Sequence, residues 1–216
     1  TNQSAFFLTV DNSFDGLIRQ TLQGDFLSTK ENGSGIDIKI KPGTKNESVH
    51  IPVVMSQSGH KEVVYNDFYI GEDSDVVIVA GCGIDNCGPK DSQHDGIHRF
   101  FVGKGAKVKY VEKHYGSGDG VGKRILNPVT EVTMAANSSM EMEMVQIKGV
   151  DSTVRTTKAK LAENATLLVR ERLMTHGKQT ATSVYEVELN GENSSTDVVS
   201  RSVAKDESEQ IFDAAI

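Results

Sequence analysis

The chain has 216 residues, and its thirty Asp and Glu against twenty-three Lys and Arg give a net charge of −7. That balance argues against non-specific nucleic-acid binding, which needs a basic surface, and no run of about 18 apolar residues offers a membrane span. Two cysteines, six methionines and no Trp fit a reducing, cytoplasmic setting, in one large domain or two small ones with length enough for a buried core.

Residues 1–35 read as an N-terminal cap segment. Segments 5–10 and 14–22 are apolar-rich, and they could form one short helix or strand closing the end of a stack. The turn cluster Asn32-Gly33-Ser34-Gly35 separates this cap from the first clear strand, 36–40. From there residues 36–216 read as one core domain. Further strands are predicted at 48–55, 61–70, 76–80, 98–103, 107–114, 129–134, 140–147, 153–161, 166–174, 181–189 and 196–203. Segments 81–97 and 115–124 read as loops leaving the regular chain path, the second very mobile through glycines at 116, 118, 120 and 122. It is not a phosphate loop, because a strand rather than a helix follows it.

A turn frame recurs between these strands. It is written Gly71-Glu72-Asp73-Ser74-Asp75-Val76, Gly103-Lys104-Gly105-Ala106-Lys107-Val108, Ala136-Asn137-Ser138-Ser139-Met140, Ala162-Glu163-Asn164-Ala165-Thr166-Leu167 and Gly191-Glu192-Asn193-Ser194-Ser195-Thr196. Its small residues, at 74, 106, 138, 165 and 194, are spaced 32, 32, 27 and 29 apart. A tight turn and a strand repeated at about 30 residues describe an all-β solenoid; an antiparallel β-sandwich with similar turns is the competing architecture. The alternation is still in progress at Ile216 with no capping element, so the natural protein is expected to continue or a partner to cover that end.

Both cysteines lie in one stretch. Cys82, Cys87, His94 and His98 form a C-x4-C, x6, H-x3-H array, and thiolate and imidazole are ligands suited to zinc or iron. Four of them so close together in the chain could close a tetrahedral metal site, although the spacing matches no known finger; free thiols beside two strand histidines are the other reading. Glu112 and His114 should face one side of a strand, as should Glu141 and Glu143, with Glu131 on a neighbouring coil. Such a carboxylate ladder reads as a solvated polar face or as a site. His50 and His60 are isolated, and His176 reads as a turn residue.

Segment 79–203 resembles the SufB/SufD family (SufBD core domain) of iron–sulfur cluster assembly scaffold proteins, short prokaryotic type. The resemblance lies in Val79-Ala80-Gly81-Cys82-Gly83-Ile84, Ser92-Gln93-His94-Asp95-Gly96-Ile97-His98 and Val108-Lys109-Tyr110-Val111-Glu112-Lys113-His114-Tyr115-Gly116. It continues in Gly122-Lys123-Arg124-Ile125-Leu126-Asn127-Pro128, Glu141-Met142-Glu143-Met144-Val145-Gln146-Ile147-Lys148-Gly149-Val150-Asp151, Glu171-Arg172-Leu173-Met174-Thr175-His176-Gly177 and Val198-Val199-Ser200-Arg201-Ser202-Val203-Ala204. It implies a right-handed parallel β-helix, a scaffold rather than an enzyme, and a transient iron–sulfur cluster in the full-length complex. It also implies a homodimer or a SufB/SufD-type heterodimer, and a SufC-like ABC ATPase bound through a C-terminal region absent here. The family's cysteine and glutamate cluster ligands lie in its last coils, so Cys82 and Cys87 do not correspond to them. On that basis the present chain is expected neither to bind SufC nor to hold a stable cluster. Two other functions are open to the same residues: a zinc-binding structural β-helix module, and a polysaccharide-acting β-helix enzyme, for which aromatic residues are few.

Overall fold

The left-handed turn is what the repeat encodes. Asp73, Gly105, Asn137, Asn164 and Asn193, all at the same place in the frame, have φ of 55°, 67°, 60°, 54° and 56°. Only Gly, Asn and Asp visit this region at little expense. The small residue that follows is buried in Ser74, Ala106, Ser138 and Ala165, where a larger side chain would hold the coils apart. Asn164→Val is therefore expected to destabilise the chain by about 1–2 kcal/mol while Asn164→Gly is tolerated. Urea unfolding of the two variants checks this, and equal losses would show that φ is not the reason for Asn.

The computed structural model describes residues 4–6, 9–10, 26–29 and 35–216. The first strands are β1 (Ser4–Phe6), β2 (Thr9–Val10), β3 (Phe26–Thr29), β4 (Ile36–Ile40), β5 (Lys45–Met55) and β6 (Lys61–Ile70). There follow β7 (Asp75–Asp85), β8 (Ser92–Val102), β9 (Lys107–Ser117), β10 (Arg124–Leu126), β11 (Val129–Met134) and β12 (Ser139–Lys148). The chain closes with β13 (Ser152–Leu161), β14 (Thr166–Thr175), β15 (Thr180–Leu189), β16 (Ser195–Ala204) and β17 (Glu209–Ala215). Most of the predicted cap, 1–35, lies outside the described residues.

Strands alternate between two sheets. One runs β1-β5-β7-β9-β12-β14-β16, and the other β17-β15-β13-β10-β8-β6-β4-β3, with β11 also bridging β13 and β8. Among the described residues every pairing is parallel except β3 with β4. Each coil contributes one strand to each sheet, so the chain is a parallel β-solenoid and not a sandwich. No helix is present among the described residues.

Inward positions stack as files one coil apart. Ile38, Phe68, Phe100, Val132, Ala159 and Val187 form one file, and Val49, Ile78, Tyr110, Met142, Val169 and Val198 face it from the other sheet. These belong to the main apolar cluster, beside the recurring turns. A smaller cluster, Val53, Met55, Cys82, Ile84, Leu126 and Val150, fills the opposite edge of the interior.

The loop assignments at 81–97 and 115–124 need correction. Residues 81–85 and 92–97 are strand, as are 115–117, and only 86–91 and 118–123 leave the ladder. Nor are the glycines of the second loop there for mobility. Gly120 N donates to Asn86 O at 3.1 Å and Gly122 N to Gly88 O at 3.0 Å, so the two loops stack on one another. A Cβ at Gly120 would lie 2.4 Å from the Gly88 backbone, which leaves no room for a side chain.

Candidate functional site

Between the two apolar clusters the interior turns polar. The same alternation that points Val76, Ile78 and Ala80 inward on β7 also points Cys82 inward. On β9 the inward residues are Val108, Tyr110, Glu112 and His114, and on β8 they include His94 and His98. Glu62 and Asn66 on β6, Arg155 on β13 and Glu171 on β14 complete a seam of buried polar groups.

Its contacts fall into three sets, the second and third sharing Glu112. Cys82 Sγ lies 3.5 Å from His94 Nε2, and Glu62 Oε1 accepts from His94 Nδ1 at 2.7 Å. Ile36 N donates to Asn66 Oδ1 at 3.2 Å, leaving Asn66 Nδ2 to donate to His98 Nε2 at 3.3 Å. His98 Nδ1 then donates to the Tyr110 hydroxyl at 2.7 Å, and that hydroxyl donates to Glu112 Oε1 at 2.9 Å. Arg155 bridges two carboxylates, with Nη2 3.5 Å from Glu112 Oε2 and Nη1 3.5 Å from Glu171 Oε1. Ser183 and Ser200 donate to the two Glu171 oxygens at 2.7 and 2.6 Å.

Burial alone would raise the Cys82 thiol, but His94 and His114 outweigh it and bring it down to about 7. His94 moves the other way: against the effect of burial, Cys82 and Glu62 lift it to about 10. The two groups thus favour a thiolate–imidazolium pair. Burial drives His98 down to about 4, which keeps it neutral in its chain of hydrogen bonds. Glu112 is held down at about 2, since His114, Arg155 and His98 together overcome its burial.

The structure brings Cys82 and His94 together but does not assemble the four-ligand array. Cys87 is exposed, on the 86–91 loop, and His98 spends both ring nitrogens on Asn66 and Tyr110. Among the described residues no group of three or more His, Cys, Asp and Glu has metal-holding geometry. Cys82 points inward from β7, whereas Cys87 lies past the end of that strand, where alternation no longer sets a face. Glu112 and His114 do share a face, and it is the interior rather than a solvated one. Glu141 and Glu143 share the outer face, where Lys109 Nζ lies 3.7 Å from each. Glu131 sits on β11 in the other sheet, so it cannot join their ladder. His60 Nε2 lies 3.6 Å from Glu62 Oε2, at the margin of the seam.

Glu62, Asn66, Tyr110, Arg155 and Glu171 do not stand out in the sequence, although the repeat holds the signal. Glu62 pairs with His94, Asn66 with His98, and Cys82 with His114 in register, each partner one coil further on. Glu112, Met144, Glu171 and Ser200 form one file in the same way. Laying the chain out at the coil period places these side chains side by side.

The interior of this parallel β-solenoid thus holds a thiol, imidazoles and carboxylates, side-chain types that suit sulfur and metal chemistry. The family described as "SUF system FeS cluster assembly, SufBD core domain" matches residues 55–216, three-quarters of the chain. The chain belongs to that family, and with it to the SUF system of iron–sulfur cluster assembly. No curated protein and no solved structure matches the chain. No helix among the described residues is long and apolar enough to cross a membrane.

Proposed function

We propose that the chain is a non-catalytic scaffold subunit in iron–sulfur cluster assembly, with Cys82 as the reactive group of its interior and the cluster as cargo. The observation that carries this is the Cys82–His94 pair, enclosed in a SufBD core domain. A thiolate is the form that attacks sulfur and binds iron, and here the Cys82 sulfur is buried beside an imidazole. Family membership supports a SufC-like ABC ATPase and a second SufB- or SufD-type subunit as partners in the cytoplasm.

The test is anaerobic reconstitution with ferrous iron and sulfide, on the chain alone and in the complex with the ATPase and a second SufB- or SufD-type subunit. The complex is expected to develop visible charge-transfer absorption that Cys82→Ser abolishes and Cys87→Ser leaves intact, whereas the chain alone holds no stable cluster. Equal absorption in all three proteins would refute the assignment to Cys82.

A further inference from the structure

His94 is held at both edges of its ring. The inward positions of β8 include His94, Gly96 and His98, and the register sets Glu62 beside His94 one coil back. Glu62 Oε1 lies 2.7 Å from His94 Nδ1. A carboxylate only accepts, so Nδ1 carries a proton and Nε2 is the edge turned to the Cys82 sulfur, at 3.5 Å. A carboxylate behind one ring nitrogen fixes the imidazole and makes the other nitrogen a better metal ligand.

Two further observations point to a cation. With metal–sulfur and metal–imidazole bonds of about 2.3 and 2.0 Å, two corners of a tetrahedral site stand about 3.5 Å apart. That is the separation between Cys82 Sγ and His94 Nε2. The inward residue between the two histidines is a glycine, and a Cβ at Gly96 would lie 3.2 Å from His94 Nε2 and 3.6 Å from His98 Nε2. A side chain there would press on the edge that faces the sulfur. His98 does not join the pair, because Asn66 and Tyr110 hold its ring nitrogens.

We propose that His94 Nε2 is the second protein ligand, beside Cys82 Sγ, for a divalent transition-metal ion carried as cargo, with Glu62 as the positioning residue behind the ring. The ion takes the place of the hydrogen between sulfur and nitrogen, which leaves to solvent as a proton, while the Nδ1 proton stays in its bond to Glu62. Two protein ligands are fewer than a resident metal keeps, and the open corners suit an ion that takes sulfide as its remaining ligands. The proposal deepens the reading of Cys82 as the reactive group and rests on it.

Cadmium-113 NMR tests it, on the intact chain with nitrogen-15 histidine in a Cys87→Ser background, where Cys82 is the only thiol. A single bound cadmium is expected, with a shift typical of thiolate ligation and a one-bond coupling to one histidine Nε2. Coupling to Nδ1, or a thiolate shift with no nitrogen coupling, would overturn the role of His94 and leave Cys82 standing. Cadmium bound without thiolate would sink the reading of Cys82 itself, and no bound cadmium would sink the proposed site. His94→Asn, whose amide still donates to Glu62, is expected to abolish the coupling, and a coupling that survives it would also overturn the assignment. Should that variant fail to fold, Gly96→Ala leaves both ligands in place and is expected to weaken cadmium binding at least tenfold; unchanged affinity would refute the site. Glu62→Gln is expected to weaken binding about tenfold or more with the coupling retained, and equal affinity would remove Glu62 from the proposal.

Discussion

Phe100→Ala is expected to lower the free energy of unfolding by about 3–5 kcal/mol, the range for emptying a buried aromatic site. Phe100 is 1 % exposed and stacks on Phe68 at 4.4 Å between ring centroids, with planes 4° apart. Its other neighbour is Tyr110, tilted at 4.8 Å, and Tyr110 holds the hydrogen bonds between His98 and Glu112. The cavity would therefore open on the border of the polar seam, where collapse of the walls is resisted by fixed hydrogen bonds. Urea unfolding of Phe100→Ala and Phe100→Leu gives the answer, with the leucine variant retaining most of the stability. A loss below about 1 kcal/mol for alanine would mean that the coils close over the gap.

The second large effect is acid sensitivity. His98 titrates at about 4 in the fold against an ordinary 6.5, and Glu112 at about 2 against 4.5. In both cases the unfolded chain binds its proton first as pH falls, so stability drops through each window, from about 6.5 to 4 and then from about 4.5 to 2. Each is worth about 3 kcal/mol when fully developed. The alkaline side behaves differently. The raised His94 loses its stabilising contribution as pH climbs from 6.5 to about 10, while the lowered Cys82 gains one between about 7 and 9. These oppose each other, so stability should change little up to pH 9 and fall beyond it. A series of urea midpoints from pH 10 to pH 3 tests both limbs. His98→Asn should flatten the stretch between pH 6.5 and 4, and an unaltered slope there would assign the acid loss to other groups.

The architecture is legible because its determinants are local. A left-handed position filled by Asp, Gly or Asn and a small residue after it are visible in six letters, and so is the alternation that sets a strand face. Segment 81–97 reads as a loop for an equally local reason. Glycines at 81, 83 and 96 weaken the strand signal, yet a Cβ at Gly83 would lie 2.4 Å from the Tyr115 ring on the next coil. The need for glycine comes from a neighbour one whole coil away. The site is legible only in part for the same cause. Cys82, His94, Glu112 and His114 stand out as chemical types, but their partners Glu62, Tyr110 and Arg155 are ordinary residues until the coils stack. Cys87 stands out too, and its place on the loop past β7 leaves it outside.

The spacing of those partners bears on how such a chain can change over evolutionary time. A solenoid grows or shrinks by whole coils, and its turns and apolar files would accept a duplication or loss with little disturbance. The Cys82 centre has no such tolerance. Excising the single coil 71–102 would preserve the repeat while removing Cys82 and His94 and seating Glu62 against Leu126, the next residue in its file. Adding or losing a whole coil at either end would therefore leave the Cys82 centre intact, whereas the same change between Glu62 and Glu171 would take it apart.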